Sequence, residues 1–113
     1  MITIRVRDFT EFPGPRKETI GSFSGERFRK EEIMPTIIKH GIEKIQIDLD
    51  GTAGYGSSFL DEAFGGLIRE EGLNPNKVSD LCKRIISDDD PSLISEIMLY
   101  VSEAIEELSQ KSK

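Results

Sequence analysis

Ile45-Gln46-Ile47-Asp48-Leu49-Asp50-Gly51-Thr52-Ala53-Gly54-Tyr55-Gly56-Ser57-Ser58-Phe59-Leu60-Asp61-Glu62-Ala63-Phe64-Gly65-Gly66-Leu67 is the stretch whose reading decides the fold. Ile45, Ile47 and Leu49 alternate with polar Gln46 and Asp48, the period of a strand with one wet face. Asp50-Gly51 ends it with an ordinary turn pair. After the glycine-rich turn 51–56, Phe59, Leu60, Ala63, Phe64, Leu67 and Ile68 recur at three- and four-residue spacing, which predicts an amphipathic helix. Ser57 or Ser58 is expected to cap that helix, and Asp61 and Glu62 suit the positive end of its dipole. Gly72 is expected to close it. Gly65 and Gly66 each cost ~1 kcal/mol relative to alanine inside a helix, and the expected reason is close packing onto a sheet.

Working outward, Ile2, Ile4 and Val6 alternate with Thr3, Arg5 and Arg7 and predict an earlier strand. Phe12-Pro13-Gly14-Pro15-Arg16 breaks any regular element. Ser24 is placed to cap a helix through Glu26 and Glu31, which Pro35 forces to kink or restart, and Gly41 stops it beside His40. Residues 78–87 read as a short helix or loop followed by a strand at Arg84-Ile85-Ile86-Ser87. Asp90 as cap and Pro91 in the first helical position open a last helix. Its stripe is Leu93, Ile94, Ile97, Met98, Val101, Ala104, Ile105 and Leu108. The polar stretch from about 109 to 113 is expected to fray. Strands alternating with helices predict an α/β domain, a sheet with helices packed on it.

The chain has 113 residues, 36% hydrophobic and 32% charged, with a formal net charge of −6. One domain over residues 1–113 is expected. The acidic balance argues against nucleic acid, whose phosphates call for Lys and Arg. Arg16, Lys17, Arg27, Arg29 and Lys30 fall in the first third and are expected to lie on a solvated surface of mixed charge. No apolar run approaches the ~20 residues needed to span a bilayer, and the N-terminus lacks a signal-peptide pattern, so a cytoplasmic protein with no membrane role is expected. One His (His40) and one Cys (Cys82) exclude a His- or Cys-based metal cluster within the chain. His40 reads as a polar residue near a helix end, and Cys82 as a small core or half-buried residue. No cofactor is expected.

Two motifs bear on chemistry. Asp48-Leu49-Asp50-Gly51-Thr52 at a strand end resembles the opening motif of haloacid-dehalogenase-type phosphatases. That resemblance implies Asp48 as nucleophile and Asp50 as acid/base beside Mg²⁺, and Asp88-Asp89-Asp90 is similar to that family's late acidic motif. Such enzymes are longer and carry the motif on their first strand. Between Asp50 and Asp88 no convincing strand ends in a Ser or Thr suited to be the phosphate ligand, and neither Lys77 nor Lys83 has a supporting context. The phosphatase reading stands as an alternative. Gly54-Tyr55-Gly56-Ser57-Ser58 opens a helix whose exposed N–H groups favour an anion, but no Gly-Lys-Ser/Thr ending marks a nucleotide-binding loop.

The strand, acidic turn and Ser-Ser helix start together resemble the STAS-like family of unknown function, whose members are similar to the sulphate-transporter and anti-sigma-factor-antagonist domain. Ser24-Gly25-Glu26-Arg27-Phe28-Arg29 with Pro35, and Asp88-Asp89-Asp90 before the last helix, are similar too. The resemblance implies a central mixed sheet of about four strands and a regulatory or adaptor role without catalysis. It also implies binding of a protein partner such as a kinase-like ATPase. In the antagonists a Ser or Thr at this helix start is phosphorylated, which points to Ser57 and Ser58, with Gly54, Tyr55 and Gly56 in the contact surface. Where those antagonists commonly carry Asp before the serines, this chain has Gly56. A third reading is a structural subunit that forms a homodimer through the sheet edge or the last helix.

Overall fold

The structure is a computed structural model that describes residues 1–14 and 23–111. Strand β1 (Ile2–Arg5) runs directly into a one-turn helix α1 (Val6–Phe9). Helix α2 spans 25–40, β2 is Ile45–Asp48, α3 spans 57–69, α4 is Pro75–Cys82, β3 is Ile85–Ile86 and α5 is Ser92–Lys111. The three strands pair in chain order β1-β2-β3, and both pairings are parallel. The expectation of a mixed sheet of about four strands is therefore corrected to three parallel strands among the described residues. Parallel neighbours need a crossover between them, and among the described residues each crossover carries helices.

The pleat sorts the side chains. Ile2 pairs Ile45, Ile4 pairs Ile47, and Ile47 pairs Ile85. Ile4, Ile45, Ile47 and Ile85 are buried, whereas Thr3, Arg5, Gln46 and Asp48 on the other face are exposed or half-buried. Two of these polar side chains meet across the strands, where Gln46 donates to the Thr3 hydroxyl at 2.8 Å. Parallel sheets are usually covered on both faces. This one is apolar on one face and mostly polar on the other, where half-buried Ile86 beside Asp48 is the exception.

Ser24 caps α2 as expected, its hydroxyl accepting the Arg27 N–H at 3.0 Å. At Pro35 the α-helical turns restart, with the proline in the first turn of the segment Met34–His40. Between α-helical Gly25–Phe28 and Met34–His40 lies a wider π turn, Arg29–Ile33. The Met34 N–H reaches back to the Arg29 carbonyl, and this wide turn takes up the crowding a proline ring imposes on the preceding turn. Gly41, at φ 90°, ends the helix with its N–H on the Ile37 carbonyl.

Helix α3 also contains a π turn, Asp61–Gly65. Its N-cap is Gly56, so neither Ser57 nor Ser58 is the cap. The Gly66 N–H bonds the Asp61 carbonyl, one residue further back than an α-turn. The Glu62 carbonyl, which an α-turn would pair with that N–H, instead accepts Arg29 Nη1 at 2.6 Å. The same nitrogen meets the Glu62 carboxylate at 2.6 Å, and Arg29 Nε meets Glu71 at 2.9 Å. Arg29 is 1% exposed and Glu62 6%. Arg29 is thus a buried ionic joint between α2 and α3, not a solvated surface residue. The glycines follow from it. A Cβ at Gly66 would collide with the Arg29 guanidinium, and one at Gly25 with the Phe59 carbonyl. The expected contact of Gly65-Gly66 with a sheet is corrected to a contact with side chains: those of Arg29 and, for Gly65, Arg69 and Asp61.

Aromatic rings continue the joint, with Phe9–Phe28, Phe28–Phe59 and Tyr55–Phe59 centroids 5.4, 5.7 and 6.0 Å apart. Helix α5 opens with the Asp90 carboxylate accepting the Ser92 N–H. It packs on the π turn of α3, the end of α3 and α4. Ile97, Val101 and Ala104 are buried, but Met98 and Leu108 of the expected stripe are exposed. The helix continues through Ser109 to Lys111 where fraying was expected. His40 is exposed in the last turn of α2. Arg16 and Lys17 lie outside the described residues.

Two outcomes follow. Arg29→Ala removes a buried guanidinium from two carboxylates and a helix carbonyl and should cost about 3–5 kcal/mol in urea unfolding, far more than removal of the exposed Arg27–Glu31 pair. Burial pushes the Cys82 thiol up to about 11, against about 8.5 for an unfolded cysteine. The folded state keeps its proton longer, so this contribution to stability is intact below about pH 8.5 and lost as pH rises toward 11. Iodoacetamide at pH 8 should leave native Cys82 unmodified and label it in urea, as read by intact mass.

Candidate functional site

The expected site residues converge at the C-terminal ends of the parallel strands, where open α/β sheets place their ligands. Three loops meet there: 10–14 after α1, 49–56 after β2, and 87–91 after β3. The Asp48 carboxylate accepts Arg7 Nη1 at 3.0 Å and the Asp50 N–H at 2.9 Å. Arg7 also donates to the Asp50 carbonyl, and its hydrogen bond to Asp48 raises the guanidinium pKa further. The Asp50 carboxylate accepts the N–H groups of Asp89 and Asp88 at 2.9 and 3.2 Å, and the Gly51 N–H returns to the Asp89 carboxylate. The β2 and β3 loops therefore clasp each other reciprocally. Gly51 adopts φ 86°, and a Cβ there would press on the Arg7 side chain at 2.6 Å.

The turn is held from the other side as well. Ala53 N–H bonds the Glu11 carbonyl and Gly56 N–H the Pro13 carbonyl, both at 2.8 Å. Gly56 lies so close to Gly14 that a Cβ would sit 2.6 Å from the Gly14 carbonyl oxygen. That contact explains glycine where the antagonists commonly have Asp. Tyr55 tucks its hydroxyl onto the Leu49 carbonyl at 2.7 Å, and burial pushes the phenol above its ordinary range, so it remains a donor. Gly54, at φ 131°, faces open space.

The two serines differ. The Ser57 hydroxyl donates to Glu96 Oε1 of α5 at 2.8 Å, and Tyr100 donates to the same oxygen at 2.6 Å. The hydrogen bond to Glu96 raises the Tyr100 phenol. The Ser58 side chain is exposed and has no hydrogen bond among the described residues. Beside this turn Phe12 is 71% exposed. Phe12, Glu96, Tyr100 and Arg7 were missed in the sequence. The spacing Glu96/Tyr100 marks one face of α5, but nothing local says which loop that face meets.

Both aspartates act as acceptors for donors of the fold itself, so nothing in this geometry favours Asp48 and Asp50 as the nucleophile and acid of a phosphatase. Among the described residues no group of three or more His, Cys, Asp and Glu side chains is placed to hold a metal ion. No described helix is long and apolar enough to cross a membrane. Asp50→Ala should cost about 2 kcal/mol, the scale of hydrogen bonds to a charged group. Amide exchange checks the mechanism, because protection should fall at Asp88 and Asp89 and persist in β2.

Comparison with known families carries the reading to an identity. The model of the STAS-like domain of unknown function (DUF4325) matches residues 24–83, more than half of the chain, from the Ser24 cap through α2, β2, α3 and α4. No curated protein and no solved structure matched the chain. The matched segment holds Arg29, both of its carboxylate partners, the acidic turn and both serines, and by this match the chain belongs to the STAS-like family of unknown function.

Proposed function

We propose that this chain acts as one regulatory or adaptor domain in the cytoplasm. It works without catalysis and docks a protein partner at the turn 53–56 and the start of α3. The observation that carries this reading is the contrast between the serines. Ser58 presents a free, exposed hydroxyl in the first turn of α3, while the surrounding polar groups are engaged by the fold. The first intrahelical bonds run from Phe59 and Leu60 to the Gly56 carbonyl, so the N–H groups of Ser57 and Ser58 precede the hydrogen-bonded helix. A phosphate on Ser58 would add about −1.5 to −2 charges at the positive end of a helix, where negative charge is favoured. A phosphate on Ser57 would face the Glu96 carboxylate and be disfavoured. Open Gly54 and exposed Phe12 supply an approach and an apolar anchor for the partner, such as a kinase-like ATPase.

The test is mass spectrometry of the protein from its native cell, paired with co-purification of the partner by wild type and by Ser57→Ala, Ser58→Ala and Ser58→Glu. Modification at Ser58, and at least a tenfold change of partner affinity in Ser58→Glu, is the expected result (about 1.4 kcal/mol). Ser58→Ala should leave the midpoint of urea unfolding unchanged, because its hydroxyl has no partner to lose. Unmodified serines with partner affinity equal in every variant would sink the switch. Mg²⁺-dependent phosphatase turnover abolished by Asp48→Asn would sink the non-catalytic reading altogether.

A further inference from the structure

The outer edge of β1 is a second surface, independent of the serines. Ile47 and Leu49 send their N–H groups to the Arg84 and Ile86 carbonyls beside β3. Backbone groups of a strand point alternately to its two sides, so Gln46 and Asp48 turn theirs toward β1. With Thr3 opposite Gln46, the parallel pattern bonds Gln46 to the residues flanking Thr3, namely Ile2 and Ile4. The N–H and C=O of Thr3 and the N–H of Arg5 therefore point out of the sheet, where no described strand pairs them, while the Arg5 carbonyl, at the N-cap of α1, serves that helix. Unpaired edges of this kind are templates for another strand.

The edge is also shaped and charged. A groove of about 210 Å³ runs along it, lined by Thr3, Arg5, Asp8, Glu32 and Thr36. One wall is β1 and the other is the middle of α2, the strand-and-helix cleft in which added peptide strands lie in other folds. Among the described residues neither the Asp8 nor the Glu32 carboxylate is in an ion pair. Thr36 turns its own hydroxyl back to the Glu32 carbonyl, so the α2 wall presents the carboxylate as its charged group.

We propose that the β1 edge is a docking groove for an extended, basic peptide segment of a partner protein, which adds as a fourth strand and directs Lys or Arg side chains at Glu32 and Asp8. The alternating residues of that strand fall on the polar face beside Thr3 and Gln46, where small hydrogen-bonding side chains fit. Main-chain bonds to Thr3 and to the Arg5 N–H provide affinity, and the carboxylates select for charge.

The experiment uses the full chain, labelled with ¹⁵N, and two acetylated hexapeptides, one alternating threonine and lysine and one alternating threonine and glutamate. The lysine peptide should shift the amides of Thr3, Arg5 and Thr36 and leave Ser57 and Ser58 unmoved. The glutamate peptide should bind at least tenfold more weakly. Thr3→Pro removes an outward N–H that serves no internal bond, which an edge strand tolerates, and should abolish the shifts. Glu32→Lys should reverse the charge preference, and it carries the test if the proline variant unfolds. The proposal is overturned by shifts absent up to millimolar peptide, by shifts centred elsewhere, or by equal binding of both peptides. Sedimentation as a dimer, with edge amides that move with protein concentration alone, would overturn it in favour of a second copy.

Discussion

Arg29 fastens the structure. A guanidinium taken out of water is costly unless every donor finds an acceptor and its charge is answered. Here Glu62 and Glu71 answer the charge, and the Glu62 carbonyl takes a further hydrogen bond. That carbonyl is free because α3 widens into a π turn, and there is room for the guanidinium because Gly66 has no side chain. The wide turn of α2 begins at Arg29 itself. Helix α3 is thus shaped around this ion network, while the wide turn of α2 takes up the crowding of Pro35. Their approach is close enough for Gly25 to meet the backbone of Phe59.

This joint positions the site. Helix α3 is fixed against α2 by Arg29 and by the Phe28–Phe59 contact, and Tyr55, just before the Gly56 cap, sets its ring at a tilt against Phe59. The glycine-rich turn is then pinned between the 10–14 loop and the reciprocal clasp of Asp50-Gly51 with Asp88-Asp89. Rigid support beneath an exposed helix start is what a recognition surface needs, because little ordering is left to oppose binding. The same network gives the acidic residues of the turn structural tasks. They resemble a catalytic pair in sequence because a strand-end turn and a nucleophile motif call for the same short carboxylates.

Much of the fold was legible in particular residues. Ser24 and Gly41 bracket α2 because a short hydroxyl and a residue free to adopt positive φ suit those positions. The alternation at 45–49 identified β2, and Asp90-Pro91 announced α5. The site was legible in part. The sequence pointed to the turn and both serines, but cap and exposed hydroxyl look alike in a sequence. Met98 and Leu108 fit the apolar period of α5 and still face solvent, since period says which residues share a face and not how far a neighbouring element covers it.

The sequence by itself determined the local elements, the strand–helix alternation, the stops at Gly41 and Gly72, and membership of the family through the block 24–83. These follow from short-range preferences and spacing. Only the tertiary structure decided that the described strands are three and parallel, that Gly66 makes room for Arg29, that Glu96 claims Ser57, and that no described strand pairs the outer side of β1. Each of these joins residues more than thirty positions apart or depends on an element that does not arrive. Hydrophobic periodicity has no information about either, because it records which side of a segment is apolar and not what comes to meet it.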